Sequence, residues 1–254
     1  MKSFKKISKV LDCFTRKEPR NSLNTISKKT GIPKGTVHRL LKGLKDIGFI
    51  VQDSNRDLYR LGDRIINLSG VVLSDLDLPR YSKMPAIKLM NQSGESVHIC
   101  VFDGKNVMSV DRHEMGQDSN EIIKIESEPA YCTSTGKAIL ACLTDEQVIE
   151  VIGHYPVKYT TNTITNIDKI LDELNIVRER NFAIDNEERK YGIKCVGVAI
   201  YHKGKVVGAI SVTGAKDRFS ESRISTLADL VKDAANFISR SLETGFIPKL
   251  IRYK

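Results

Sequence analysis

The sequence predicts an α+β protein of two domains: a small domain of three helices and a β-hairpin wing, then a larger domain with an antiparallel sheet flanked by helices. Three observations lead to this prediction. The chain has 254 residues, enough for two hydrophobic cores, and its positive charge is concentrated in the first quarter. That quarter has the apolar periodicity of helices followed by a hairpin. The rest combines hairpins of strands with groups of helices.

Charge divides the chain into a basic part and a neutral part. Residues 1–62 contain 15 Lys and Arg against 5 Asp and Glu, whereas the remainder contains 25 against 26, so the net charge of +9 arises in the first quarter. A basic module of this kind indicates an acidic polymer as its partner. The sequence has no run of about 18 apolar residues and no apolar leader, so we expect a cytoplasmic protein without membrane contact. The five cysteines form no C-x-x-C pair, and we expect free thiols.

Three amphipathic segments open the chain. The apolar residues of 4–14 fall on one helical stripe, and a second, short helix begins at Ser22 as its N-cap and ends at Gly31. Pro33 then stands in the first turn of a third helix, whose apolar stripe continues to Ile47. A basic helix that follows a short helix and a glycine turn is typical of the recognition helix of a helix-turn-helix, which enters the major groove of DNA.

The exposed face of the third predicted helix carries candidate DNA-reading residues. Lys and Arg donate hydrogen bonds to guanine O6 and N7, and Thr reaches bases or phosphates. The strand-like runs 49–52 and 58–61 flank a polar turn and predict a wing, whose tip lies near a phosphate. The predicted partner is double-stranded DNA. The candidate DNA-contacting residues are Ser22, Lys34, Thr36, His38, Arg39, Lys42 and Arg56.

Residues 62–77 carry an apolar helical stripe without proline, which predicts a helix between the two domains rather than a loose linker. Its apolar face is larger than a linker needs, so we predict that it joins two copies of the chain. A homodimer fixes the distance between two recognition helices on a near-palindromic operator. The predicted domains are 1–62 for DNA binding, 63–78 for the connecting helix and 79–254 for the larger domain.

Beyond Leu78-Pro79 the sequence predicts a further helix, and strand-like runs begin only after it. A helical stripe ends near Gly94, and a closing helix runs from about 220 to 242. Between them the sequence predicts strands at 97–102, 107–110, 121–126, 195–201 and 206–213, and helices near 135–143, 145–153 and 167–180.

The sequence resembles the isocitrate lyase regulator (IclR) family of bacterial transcription factors over nearly its whole length. Three segments carry the resemblance: Thr36–Leu41, Tyr131–Ala141 and Asn181–Ser211. The resemblance implies a winged helix-turn-helix, a GAF-like effector domain and dimers that pair into tetramers. It also implies a repressor of a catabolic or metabolic operon, controlled by a small organic acid. Carried over position by position, the effector pocket comprises Ser134, Thr135, Gly136, Asp185, Cys195, Gly197 and Ser211.

The chemistry of these residues independently supports an anion site. Residues 134–136 precede an apolar helical run, and the start of a helix presents N–H groups and hydroxyls to a carboxylate. Ser211 adds a hydroxyl to the pocket, and Cys195 adds a small, polarisable side chain to its wall. Asp185 repels a carboxylate unless it is protonated or bonds to an effector hydroxyl; the alternative is a structural acceptor for loop N–H groups.

Two other classes of protein remain open from the residues alone. A redox or metal-responsive regulator would use His98, Cys100 and His113, of which the first two share a strand face. A thiol enzyme of GAF-like fold would use Cys195 and lose turnover in Cys195→Ser. No Ser, Cys and His occur in a motif that predicts a catalytic triad, so we expect neither catalysis nor a cofactor or bound metal.

Overall fold

The computed structural model describes residues 2–15, 17–53, 57–75, 77–115, 127–153 and 156–245. The chain divides into two compact units, Met1–Asp75 and Leu76–Lys254. In the described segments, no helix is long and apolar enough to cross a lipid bilayer. The predicted wing residue Arg56 and the predicted strand 121–126 lie outside the described residues.

The first unit pairs helices with a small antiparallel sheet. The sheet has the strand order β1-β3-β2, and the predicted wing hairpin is formed by β2 and β3. Strand β1 was not predicted, because two residues carry no alternating pattern. The elements are α1 (Lys2–Leu11), β1 (Asn21–Ser22), α2 (Leu23–Thr30), α3 (Lys34–Asp46), β2 (Ile50–Gln52), β3 (Leu58–Leu61) and α4 (Arg64–Asp75).

Local signals determine the ends of the helices in this unit. The Ser22 hydroxyl accepts a hydrogen bond from the Thr25 amide at 3.1 Å, and Gly31 ends α2 with a φ of 68°, as predicted. Pro33 lies one residue before α3 rather than in its first turn. The apolar stripes of the helices meet in one core, formed by Val10, Cys13, Ile26, Ile32, Val37, Leu41, Leu44, Ile50 and Tyr59.

The second unit is built on a six-stranded antiparallel sheet with the strand order β6-β5-β4-β9-β8-β7. Its helices are α5 (Asp77–Ser93), α6 (Ser134–Leu140), α7 (Asp145–Ile152), α8 (Ile167–Arg180) and α9 (Glu221–Thr244). Its strands are β4 (Ser96–Phe102), β5 (Asn106–His113), β6 (Ser127–Pro129), β7 (Ala183–Asn186), β8 (Ile193–His202) and β9 (Lys205–Ala215).

Helices cover both faces of this sheet. Helices α5 and α9 pack together, and α6 packs against the central strands. A Cβ on Gly208 would lie 2.5 Å from a methyl carbon of Leu78 in α5, whereas a Cβ on Gly197 would lie 2.8 Å from the carbonyl carbon of Ser134 in α6. Gly208 pairs with Ile200, so these two residues project to the same face. Ile200 is an odd number of residues from Gly197 along β8, and Gly197 therefore projects to the other face. Helices α5 and α6 consequently lie on opposite faces of the sheet.

The helix after the first unit differs from its prediction. Pro79 does not delay α5, which begins at Asp77, because a proline in the first turn removes an N–H that has no helical partner. Pro85 lies inside the same helix and is buried. Strand β7 was not predicted, since it is short and includes the charged residue Asp185.

Candidate functional site

Helix α3 presents a basic surface. Lys34, His38, Arg39 and Lys42 are exposed, and Thr36 beside them is half-buried. The opposite side of the helix lies in the core of the first unit. The structure therefore places these five candidate residues together on the accessible side of one helix.

The cations of this surface differ from others in the same unit. Arg20, for example, is held by Asp53 at 2.9 Å. Lys34, Arg39 and Lys42 make no ion pair with any described residue. Unpaired cations on one helix face are available for phosphates and guanine edges without breaking an existing interaction.

The Ser22 hydroxyl caps α2 and lies 3.0 Å from the Thr25 hydroxyl, so it is already engaged within the unit.

Gly35 is exposed in the first turn of α3, and a Cβ there would meet nothing within 4 Å. Packing does not explain a glycine in a helix, where it costs about 1 kcal/mol relative to alanine. Sequence reasoning passed over Gly35, although a glycine among reading residues is a signal.

In the second unit, strands β7, β8 and β9 bring the predicted effector residues together. Ser211 pairs with Gly197, and Thr213 pairs with Cys195, which pairs in turn with Asp185. Residues directly opposite in an antiparallel sheet project to the same face, and so do positions two apart on one strand. Ser211, Cys195 and Asp185 therefore share the face on which α6 lies.

Two glycines allow α6 to lie close to its neighbours. A Cβ on Gly136 would come within 2.1 Å of a backbone oxygen of the preceding turn, and one on Gly197 within 2.8 Å of Ser134. The Gly136 amide donates to the Thr133 hydroxyl at 3.2 Å, so it is engaged in capping α6. The amides of Ser134 and Thr135 are the ones that helix geometry leaves without a partner inside the helix.

The polar groups of this site are buried. Ser134, Thr135, Asp185 and Ser211 each expose 5% or less of their surface. Two cavities of about 510 and 470 Å³ lie elsewhere in the unit, one lined by α7 and the other by α6, α8, α9 and β8, and none of these four residues lines either. The candidate effector site is a buried polar cluster between α6 and the sheet.

Asp185 is the acidic side chain of this cluster. One carboxylate oxygen accepts hydrogen bonds from the amides of Glu188 at 2.8 Å and Arg189 at 3.4 Å. Burial and the neighbouring charge of Glu188 raise the pKa of Asp185 to about 7. Asp185 thus acts as an acceptor for loop N–H groups and also carries a proton over much of the range below neutral pH.

A buried ion network supports the same loop. The Lys137 ammonium lies 2.5 Å from a Glu188 oxygen and 3.2 Å from a Glu173 oxygen, and Glu173 also pairs with Arg180 at 3.1 Å. Lys137 is 1% exposed. Its ammonium needs these partners, because an unpaired buried charge is strongly unfavourable. Sequence reasoning missed Lys137, whose signal was a lysine inside an otherwise apolar helix.

The thiols of the cluster are poorly suited to catalysis. Burial raises the pKa of Cys100 to about 11 and that of Cys132 to about 12, and burial together with Asp185 raises the pKa of Cys195 above its usual range. The Cys195 sulfur accepts a hydrogen bond from the Thr213 hydroxyl at 3.3 Å. Protonated, buried thiols are weak nucleophiles and weak metal ligands, which counts against the thiol-enzyme hypothesis.

The three residues of the hypothetical metal or redox site do not converge. His113 pairs with Val97, so its side chain projects to the face opposite that of His98 and Cys100. The His113 ring contacts Asp111 at 3.0 Å instead. Over the described ranges, no three His, Cys, Asp or Glu side chains are grouped closely enough to hold a metal ion. His98 and Cys100 do share a strand face, as predicted, but His113 does not join them.

Family models match nearly the whole chain. The IclR helix-turn-helix domain matches residues 3–54, and the bacterial transcriptional regulator IclR C-terminal domain matches residues 70–240. The HTH-type transcriptional repressor AllR of Escherichia coli K12 is 28% identical over 236 residues, which cover 92% of this chain and 87% of AllR.

Solved structures agree with these matches. The IclR of Thermotoga maritima is 29% identical, with a TM-score of 0.64 over 95% of this chain and 99% of that one. An IclR homolog of Microbacterium hydrocarbonoxydans, complexed with 4-hydroxybenzoate, is 18% identical, with a TM-score of 0.72 over 93% of this chain and 97% of that one. The predicted two-domain α+β fold is confirmed.

Proposed function

Because the chain belongs to the IclR family of bacterial transcriptional regulators, we propose that it represses a catabolic or metabolic operon under the control of a small organic acid bound in its second unit. Membership of the family makes the chain a DNA-binding transcriptional regulator and not an enzyme. Its activity lies in the cytoplasm, where a bacterial operon is transcribed. AllR, a relative of similar length, is a repressor, which supports the sign of regulation.

The DNA-reading residues in this proposal are those of α3. The observation that carries it is the set of unpaired cations Lys34, Arg39 and Lys42 on the exposed side of a helix that follows a glycine turn. Arg39 reads a guanine edge, and the two lysines contact phosphates. Arg56 completes the proposed contacts with the DNA backbone, whereas the Ser22 hydroxyl is already engaged in capping α2.

The effector site in this proposal is the buried polar cluster beneath α6. The amides of Ser134 and Thr135 and the Ser211 hydroxyl are donors suited to a carboxylate. A protonated Asp185 no longer repels an anion, and its raised pKa makes that form accessible. The 4-hydroxybenzoate of the Microbacterium protein is itself a small organic acid.

A homodimer joined through α4 is the proposed assembly, with a dimer of dimers as a further step. Ile66 and Val72 are 70% and 60% exposed on this helix, beside the exposed Leu68 and Val71. Exposed aliphatic side chains on a helix are typical of a surface that a partner covers. Sedimentation of wild-type protein and of Ile66→Lys tests the assembly, with Asn67→Lys as a control on the same helix. A smaller species only in Ile66→Lys supports it.

Genomic footprinting in the native host tests the proposed regulation. We expect protected near-palindromic sites at the promoter of an operon for the use of an organic compound, and higher transcription of that operon when the regulator gene is deleted. Lower transcription on deletion would contradict repression, and absence of protected sites would contradict sequence-specific binding.

A further inference from the structure

Several buried polar side-chain atoms among the described residues of the second unit have no hydrogen-bond partner, and a ring nitrogen of His98 is one of them. The Nε2 atom of His98 is buried and makes no hydrogen bond to any described residue. Buried polar side-chain atoms are hydrogen-bonded in the large majority of cases, and an exception calls for an explanation. The Nε2 atom of His98 therefore either stays without a hydrogen bond, which is unfavourable, or bonds to a group that the protein itself does not supply.

The register shows where this ring lies. His98 on β4 pairs with Ser211 on β9, and Ser211 pairs with Gly197 on β8. The start of α6 packs against Gly197. Opposite residues share a face, so His98 projects to the same face as Ser211. The unpartnered ring thus adjoins the buried polar cluster, one strand further from α6 than Ser211.

The protonation state of the ring suits an anionic acceptor. On its other side His98 pairs with Arg112, whose guanidinium lies 2.6 Å from a Glu114 oxygen. Burial, and secondarily the charge of Arg112, lower the pKa of His98 to about 4. The ring is therefore neutral at physiological pH, and in its Nε2–H tautomer it is a hydrogen-bond donor.

We propose that His98 is an effector-binding residue whose Nε2–H donates a hydrogen bond to the carboxylate of a small organic acid, next to the Ser211 hydroxyl. This inference rests on the proposed function of the cluster and adds a residue outside the segments that carry the family resemblance. It explains the orphan atom, since the ligand supplies the acceptor. An N–H donor suits a carboxylate, which accepts hydrogen bonds, and not a cation, which donates them.

Calorimetric titration of the full chain with acetate, glycolate, lactate, succinate, benzoate and 4-hydroxybenzoate tests the proposal. The acid that wild type binds most tightly is then titrated into His98→Leu and His98→Gln. Leucine removes the donor, whereas the glutamine amide nitrogen reaches near the position of Nε2. His202→Leu is the matched control, because His202 also has a buried, unpartnered ring nitrogen but lies at the end of β8.

We expect His98→Leu to bind the acid about tenfold more weakly or worse, the loss typical of one missing hydrogen bond to a charged group. His98→Gln keeps most of the affinity, and His202→Leu binds as wild type does. Wild-type affinity in His98→Leu overturns the role of His98 and leaves the effector site standing, and equal losses in both His98 variants overturn the donor role. Binding of none of the acids by wild type overturns the proposed carboxylate site and this inference with it.

Discussion

Glu128 and Arg189 lie at opposite edges of the six-stranded sheet and yet form an ion pair. Glu128 belongs to β6, Arg189 follows β7, and the guanidinium also lies over the Tyr159 ring, 4.3 Å from its centroid. In a flat sheet the two edge strands would be about 24 Å apart, at about 4.8 Å per strand, farther than two side chains reach. The sheet is therefore curled, and its edges close around the face that carries Ser211 and Asp185.

The close approach of α6 to this curled sheet makes Gly197 sensitive to substitution. We expect Gly197→Ala to lower the free energy of unfolding by about 1–3 kcal/mol, because its methyl group would overlap the backbone of Ser134 and Thr135. Urea unfolding of the full chain measures the loss. Gly70→Ala is the control, since a Cβ at this helical position meets nothing within 4 Å and alanine should therefore not lower the stability. Equal stability of Gly197→Ala and wild type would contradict the packing described.

The buried pair of Lys137 and Glu188 should behave as one energetic unit. Lys137→Met leaves the Glu188 carboxylate buried without its cation, and we expect a loss of about 3–5 kcal/mol. Lys137→Met combined with Glu188→Gln should recover much of that loss, because Glu173 still pairs with Arg180. A double-mutant cycle by urea unfolding measures the coupling. Additive effects of the two substitutions would show that the pair is not coupled.

Asp185 predicts a dependence of stability on pH. Its pKa is about 7 in the folded chain against a usual value of 3.8, so the folded state holds a proton that the unfolded state loses. The free energy of unfolding therefore falls as pH rises from about 4 to 7, by on the order of 4 kcal/mol for this group. Asp185→Asn should remove this part of the slope.

Denaturation of both proteins at a series of pH values checks the prediction. Burial also raises the pKa of Glu188, which adds a slope of the same sign, so the informative quantity is the difference between wild type and Asp185→Asn. Parallel curves for the two proteins between pH 4 and 7 would rule out the protonation of Asp185 described here.

Two glycines of α3 separate DNA contact from helix stability. A Cβ on Gly35 or Gly43 meets nothing within 4 Å, so we expect either alanine variant to gain about 0.5–1 kcal/mol of stability. Gly35 lies in the first turn of α3 among the reading residues, and its methyl group should weaken operator binding, whereas Gly43→Ala should bind normally. Fluorescence anisotropy with an operator duplex compares the two. Equal affinities would place Gly35 away from the DNA.

Local signals explain why the first unit was predicted well. The hydroxyl of Ser22, the positive φ of Gly31 and the apolar stripe of α3 each act within a few residues of their own position. In the second unit the hairpins were predicted for the same reason, since alternation and turn residues are local. Helix α5 was placed too late, because Pro79 was interpreted as a break rather than as a first-turn residue.

The interior of the candidate site depends on contacts between distant parts of the chain. Lys137 and Glu188 are 51 residues apart, and no pattern at either position indicates the other. His98 and Ser211 are neighbours only because β4 lies beside β9 in the sheet. Through the family resemblance, the sequence could indicate Ser134 and Asp185 as effector-binding residues. It could not indicate that the Gly136 amide is already bonded to the Thr133 hydroxyl that caps α6.

The most direct test of the account is the affinity of the full chain for its operator, measured by fluorescence anisotropy with and without a saturating concentration of the acid that binds most tightly. A regulator whose second unit senses an acid must couple the two binding events, typically by 5-fold to 150-fold. We predict a change of about fivefold or more in wild type and none at the same acid concentration in a variant that no longer binds the acid. An operator affinity that stays the same while the acid is bound would contradict the central claim.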